Sequence, residues 1–413
     1  MSAYDDLQRA CAGALSENAT SVGGLTPRWR ARPADAGQAA ACVRAAAAHG
    51  LALVATGAGT KLGWGSPPRR CDLLLDCSRL DALVEHSAGE FVVVAGAGLR
   101  LSALREALAG TGQHLALDPT RDGTLGGIIA TGDHGPARLL HGAPRDLVIG
   151  AQMVRADGVI AASGGKVVKN VAGYDLGKLM TGSFGTLAVL TRLAFRLHPV
   201  PAARRWVSTE VADPADLASL AQALLHSTVV PAAIEVERAG AGGGARGGLA
   251  VQLLGVRSGV DGCAEQARAL LGDGARLDDT APPWWAAEPS PPGDPLVKIT
   301  FELSRVAETV RALDAAARDA GVVPRLRAST GVGVGSITLE PGASQEAVVA
   351  FVAALRSRAP SYGGAVVLLD GPAAVKAALD VWGPVRGLEL MRAVKDRFDP
   401  SGALAPGRFV GGI

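Results

Sequence analysis

The stretch Leu51-Ala-Leu-Val-Ala-Thr-Gly-Ala-Gly-Thr-Lys-Leu-Gly-Trp-Gly65 opens as a short buried strand over residues 51–56 and runs directly into a glycine loop over residues 57–65. Pro67-Pro68 forbids a helix immediately afterwards. In such a loop successive backbone N–H groups, unobstructed by Cβ atoms, can converge on a pyrophosphate. The loop is not a P-loop, because no Gly-Lys-Ser/Thr follows. Its G-x-G-x-x-x-G spacing, with no helix after it, is not the fingerprint of a doubly wound dinucleotide fold either. Taken alone, an ordinary glycine-rich turn is the commoner origin of such a pattern.

Working outward, residues 33–49 read as a helix, with Asp35 near its start, alanine through its body and Gly50 at the left-handed position that ends it. Strands are expected at 73–76, 83–86 and 91–95, then a helix at 102–110 with Leu101, Leu104 and Leu108 on one face. Residues 148–163 read as a hairpin turning at Asp157-Gly158. The strand at 187–198 alternates Leu193, Phe195 and Leu197 with Arg192, Arg196 and His198, and Pro199 stops it. A domain boundary is expected at 199–204.

Beyond it the order strand 205–211, helix 214–226, strand 232–238, glycine tip 240–248, strand 249–256, helix 259–271 is followed by the same order again. Strand 296–302, helix 304–320, strands 323–329 and 332–339, helix 345–357 and strand 364–369 form the second unit. This β-α-β-β-α repeat is the ferredoxin-like unit, and two of them side by side make a mostly antiparallel sheet with helices on one face. Residues 279–295 are Pro-rich and read as a surface connection, and residues after 384 as a helix followed by a turn-rich tail. The fold class is therefore α+β: residues 1–200 form one domain, 201–384 a second, and 385–413 a helix and tail returning to the first.

Forty-one Lys and Arg against 39 Asp and Glu leave a net charge of +2, which gives no reason to expect nucleic acid or an anionic membrane as partner. Five cysteines without a C-x-x-C pair describe neither a disulfide framework nor a zinc or iron–sulfur site, and a reduced cytoplasmic setting is expected. The first ten residues lack the grammar of an export signal, and no apolar run approaches the roughly 20 residues of a membrane span. Aromatics are scarce at 4%, while glycine reaches 54 residues. The core is then packed from Ala, Val and Leu, and the backbone must bend sharply or approach something closely in many places.

Two further small-residue clusters, Pro119-Thr120 with Gly123-Thr124-Leu125-Gly126-Gly127-Ile128-Ile129-Ala130-Thr131-Gly132, and Gly182-Ser183-Phe184-Gly185-Thr186-Leu187, join the loop at 57–65 in the same domain. Small residues let backbone lie flat against a planar ring, and three clusters suit an extended ligand such as a dinucleotide. Together with Gly165-Lys166-Val167-Val168-Lys169-Asn170-Val171-Ala172-Gly173-Tyr174-Asp175-Leu176, Arg397-Phe398-Asp399-Pro400 and Pro406-Gly407-Arg408, these segments resemble the FAD-linked oxidases of the vanillyl-alcohol-oxidase (PCMH) type. Within that family they resemble the FAD-binding subunit of bacterial glycolate oxidase.

The resemblance implies a PCMH-type FAD-binding domain of two α+β subdomains, followed by a cap. It implies that Gly57, Ala58, Gly59, Thr60 and Gly63 hold the pyrophosphate. Pro119, Thr124, Leu125, Gly126, Gly127, Ala130, Thr131 and Gly185 then line the flavin and its chain, and Val189 meets the cofactor through its backbone. Some members attach FAD through a histidine in the first glycine loop; none stands between Gly57 and Gly65, so non-covalent FAD is expected.

Two departures bear on activity. The family tail N-P-G reads Ala405-Pro406-Gly407 here. Where the 2-hydroxy-acid dehydrogenases of the family carry a metal-binding histidine pair, this chain has Arg327-Ala328-Ser329-Thr330-Gly331-Val332-Gly333, and no histidine occurs after His226. Flavin-linked alcohol oxidation needs a base for the hydroxyl proton, so no catalytic residue and no metal ligand are assigned. The expected role is an electron-transfer or supporting FAD subunit of a complex oxidising glycolate to glyoxylate, with a catalytic flavoprotein and an iron–sulfur subunit as partners. Any membrane association would come through those partners. The alternatives are a self-sufficient FAD-dependent oxidoreductase for a small 2-hydroxy acid and a scaffold that has lost FAD.

Several residues carry two readings. His134 and His141 are read as surface or hydrogen-bonding residues ahead of catalysis, and Lys169, Tyr174 and Asp175 as structural support ahead of proton transfer. Arg325 and Arg327 suit a bidentate carboxylate, against the commoner case of one buried and one solvated arginine. Trp284-Trp285 is read equally as a partner contact or as packing on the cap.

Overall fold

The computed structural model describes residues 2–166, 173–286 and 290–413. The chain divides into two compact units. The first comprises Met1–His134, Gly142–Val200 and Pro384–Ile413, and the second Gly135–His141 and Pro201–Gly383. The short segment Gly135–His141, expected with the N-terminal 200 residues, groups with the second unit.

In the first unit the Ala-rich helix Ala36–Ala48 starts where Asp35 accepts a hydrogen bond from the Gln38 amide (2.8 Å). Its small residues Ala39, Ala40, Cys42, Val43 and Ala46 pack closely over Leu53, Leu73 and Leu75. Those leucines belong to a four-stranded sheet of order Leu15–Glu17, Trp29–Ala31, Leu73–Asp76, Leu53–Thr56, whose first pair is antiparallel and whose other two pairs are parallel. The strand feeding the glycine loop therefore lies at an edge.

A second, five-stranded antiparallel sheet has the order Leu83–Ser87, Val92–Gly96, Val189–Arg196, Val148–Val154, Ile160–Gly164. The alternation expected in its central strand holds: Leu193 and Phe195 are buried, while Arg192 and Arg196 are exposed. Helix Leu101–Leu108 lays Leu101, Leu104 and Leu108 into this core, each contributing about 1.5–3 kcal/mol by burial.

The second unit is an eight-stranded antiparallel sheet of order Arg276–Asp278, Ala203–Glu210, Arg246–Gly255, Ala233–Ala239, Pro324–Ser329, Val334–Leu339, Leu296–Thr300, Ala365–Asp370. Counted within each half, the order is 4-1-3-2 and then 2-3-1-4, two ferredoxin-like units joined edge to edge through Ala233–Ala239 and Pro324–Ser329. Helices Pro214–Leu225, Arg257–Leu271, Val306–Ala320 and Gln345–Ser357 share one core with Val207, Ile234, Val251, Val297, Leu326 and Leu368 of the sheet. A buried ion pair, Arg238 to Asp314 (2.9 Å), ties the junction strand to helix Val306–Ala320. The α+β class and the paired-unit sheet follow the sequence reading; the edge strand Arg276–Asp278 is an addition to it.

One local expectation is corrected. Leu125–Thr131 forms a helix rather than a flat strip of backbone, with Thr124 as N-cap accepting from the Gly127 amide (3.3 Å). A Cβ on Gly126 would lie 2.9 Å from Ala97 Cβ and 3.0 Å from Ala97 O, so the glycine serves helix packing. Among the described residues no helix is long and apolar enough to cross a membrane.

Candidate functional site

The three small-residue clusters meet around one cleft in the first unit, with about 850 Å³ of empty space including its open mouth. Its wall takes Thr56 to Leu62 from the edge strand and glycine loop, Gly123, Thr124, Gly126, Gly127, Ala130 and Thr131 from the second cluster, and Ser183, Phe184 and Gly185 from the third. Ala97, Cys77, Ala188, Leu190 and Arg408 complete it.

Of the expected binding residues, Gly57, Ala58, Gly59, Thr60, Thr124, Gly126, Gly127, Ala130, Thr131 and Gly185 line the cleft. Gly63, Pro119, Leu125 and Val189 are not among its lining residues. Leu125 points into the core, and Val189 pairs with Val154 in the sheet with its side chain buried, leaving Ala188 and Leu190 on the wall. Asn170 and the rest of residues 167–172 lie outside the described residues.

Glycine is needed in the loop for two separate reasons. A Cβ on Gly57 would stand 2.1 Å from Thr124 Oγ1, so the loop abuts the cap of helix Leu125–Thr131. Gly59 has φ +75°, and a Cβ there would meet only Leu62 Cδ1 at an ordinary 3.7 Å, so its need is conformational.

The charges at the wall are Lys61 and Arg408; no carboxylate lines the cleft among the described residues. Lys61 is ion-paired to Asp133 at 2.9 Å, with side chains 6% and 3% exposed. Asp133 also accepts from the Thr120 amide (3.1 Å) and hydroxyl, which binds the first and second clusters together. The third cluster is held by Gly182 and Phe184 amides donating to Ile129 O (2.9 Å) and Ala130 O (2.8 Å). Phe184 takes φ +55° there and stacks on Phe409 of the tail (5.8 Å).

The tail is pinned by Lys395, whose ammonium donates to Asp399 (2.6 Å), Thr186 O (2.7 Å) and Leu404 O (2.9 Å). Burial holds that lysine below the usual range, against the pull of Asp399. Cys77 is buried in the cleft floor, and burial next to Asp76 pushes its thiol up to about 12.

Sequence reasoning missed Lys61, Arg408 and Phe184 as wall residues, although all three lie inside motifs it quoted. Of the residues with two readings, Lys169 lies outside the described residues. Tyr174 is 92% exposed and Asp175 caps helix Leu176–Met180, accepting from the Lys178 amide (3.2 Å). Arg325 and Arg327 both approach Glu237 (3.8 and 3.6 Å), with side chains 55% and 17% exposed. Trp285 sets its edge against Trp206 at 6.4 Å, and Trp284 lies 6.0 Å from Trp285. His134 and His141 are absent from the cleft wall.

A planar, anionic dinucleotide fits this wall: Arg408 and the Asp133-paired Lys61, no carboxylate among the described lining residues, loop residues 57–61, and apolar Ala97, Ala130, Ala188 and Leu190 for an aromatic ring. Comparison with known proteins points the same way. Residues 27–163 match the family model described as FAD binding domain. The chain is 37% identical over 162 residues to "Glycolate oxidase subunit GlcE" of Escherichia coli, covering 38% of this chain and 46% of that protein. It is 34% identical over 169 residues to "D-lactate dehydrogenase" of Archaeoglobus fulgidus (41% and 38%), and 30% identical over 189 residues to "Glycolate oxidase subunit GlcD" of Bacillus subtilis (45% and 40%). The chain thus spans less than half the length of these relatives.

Among solved structures, 4-ethylphenol oxidase from Gulosibacter chungangensis and p-cresol methylhydroxylase each superpose with a TM-score of 0.76 at 15% identity, over 98% of this chain and 96% of theirs. Residues 27–163 thus match an FAD-binding domain, and the chain has the fold of 4-ethylphenol oxidase and p-cresol methylhydroxylase.

Proposed function

We propose that this chain is an FAD-carrying subunit of a 2-hydroxy-acid oxidoreductase that oxidises glycolate to glyoxylate, and that its own part is electron transfer or support. The observation that carries the reading is a contrast between the two units. The first has a cleft fitted to a dinucleotide, whereas the second has no imidazole in any strand of its sheet, no histidine standing after His226. Relatives named as glycolate oxidase subunits and as a D-lactate dehydrogenase support a small 2-hydroxy acid as the substrate class. A catalytic flavoprotein and an iron–sulfur subunit are the expected partners.

Within the cleft, backbone N–H groups of Gly57, Ala58, Gly59 and Thr60 would hold the diphosphate. Thr124, Gly126, Gly127, Ala130, Thr131 and Gly185 would line the rest of the molecule. FAD, when bound, supplies a two-electron acceptor. No histidine stands in the glycine loop to attach it, so binding is non-covalent.

The test is anaerobic addition of glycolate and of D-lactate to the purified, flavin-loaded chain. The flavin spectrum stays oxidised until the partner subunits are added if this chain is the electron-transfer or supporting subunit. Bleaching by either substrate alone makes this chain the dehydrogenase and refutes the assignment.

A further inference from the structure

The glycine loop is completed by residues from the far end of the chain. Leu53 of the edge strand donates to Ala403 O (2.9 Å) and accepts from the Ala405 amide (2.8 Å), so the tail adds to the exposed edge of the four-stranded sheet. Ala405 is buried with φ +44°, a conformation that turns the chain back toward residues 66–69. There the Arg69 amide donates to Pro406 O (2.8 Å) and the Ser66 amide to Arg408 O (3.2 Å). From this fixed backbone Arg408 Nη2 donates to Leu62 O (2.9 Å) and Trp64 O (2.7 Å). The side chain lies on the cleft wall, and the residue is 4% exposed.

Inside the loop, the Leu62 amide reaches Gly59 O at 3.3 Å and the Trp64 amide reaches Lys61 O at 3.1 Å, both turn bonds at the long end of the range. The guanidinium thus clamps the distal half of a loop whose proximal half lines the cleft. Charged donors make the stronger hydrogen bonds.

We propose that Arg408 is a positioning residue for FAD, holding the loop in its diphosphate-accepting shape and coupling the docking of residues 403–409 to cofactor binding. The proposal rests on the FAD reading of the cleft. Its test uses the full-length chain stripped of flavin and titrated calorimetrically with FAD, ADP and riboflavin, for wild type, Arg408→Gln and Arg408→Lys.

Loss of the clamp weakens FAD and ADP by about tenfold or more, the scale of one charge-assisted hydrogen bond. Riboflavin, which has no diphosphate, changes by less than about twofold, and Arg408→Lys recovers part of the loss. Because coupling is reciprocal, saturating ADP slows amide hydrogen exchange across residues 403–409 of the wild type, a readout that holds even if Arg408→Gln fails to fold. Unchanged ADP affinity in Arg408→Gln, equal weakening of ADP and riboflavin, or no ADP protection of residues 403–409 each overturn the proposal. A wild-type chain that binds neither FAD nor ADP overturns the FAD reading as well.

Discussion

Replacing Lys395 by methionine removes the ammonium that joins the C-terminal helix to the third cluster and the tail. The change leaves the Asp399 carboxylate buried, together with the carbonyls of Thr186 and Leu404 that the lysine also serves. Removing one partner of a buried ion pair costs about 3–5 kcal/mol. At about 2–4 °C per kcal/mol for a domain of this size, the melting temperature of the first unit falls by about 6–20 °C. Differential scanning calorimetry of the full-length chain reads the shift, the second unit serving as internal reference. Lys395→Met combined with Asp399→Asn removes both charges and recovers at least about half of the loss, because neutral replacement of a whole pair is far cheaper than orphaning one member. A Lys395→Met transition within about 2 °C of wild type refutes the reasoning.

Other substitutions separate roles that the cleft combines. Gly57→Val drives a side chain into Thr124 and abolishes flavin binding, whereas Gly59→Ala meets no neighbour closer than 3.7 Å and costs about 1–2 kcal/mol of backbone strain; flavin content and thermal melts of the two variants check the difference. His198 is held below the usual imidazole range, first by burial and then by Arg196 and His114. As pH falls through about 6.5 the unfolded chain takes up the proton first. Stability is therefore lost between that value and the lower folded one, and melts across that window show a slope that His198→Asn flattens. Cys77 has a thiol pushed up to about 12 and lines the cleft. It reacts slowly with a maleimide in the flavin-free chain and more slowly still once FAD is bound, as peptide mapping of labelled protein will show.

The parts of the fold legible in the sequence are those whose periodicity survives burial. Helix Gln345–Ser357 and the strands around it are amphipathic, and the repeated order of elements exposes the paired ferredoxin-like units. Strand Arg276–Asp278 is exposed at all three positions, so no alternation marks it. Helix Leu125–Thr131 contains Gly126 and Gly127, residues that disfavour a helix locally and stand there because helix and strand approach too closely for side chains at Gly126.

The cleft was legible where glycine signals close backbone approach, and less so where the decisive contact is remote. Arg408 lies 346 and 344 residues from the carbonyls it holds, a pairing with no local signature. Leu125 and Val189 were placed one step from residues that do line the wall, because a motif gives the segment while the sheet register and helix phase decide which side chain faces the cleft.

The central claim, that this cleft holds FAD without a covalent bond, is tested most directly by the flavin content of the purified chain. The expected result is a flavin visible spectrum, about one FAD per chain, and complete release of the flavin into the supernatant on acid precipitation. A colourless chain that takes up no added FAD, or flavin that stays with the precipitated protein, contradicts it.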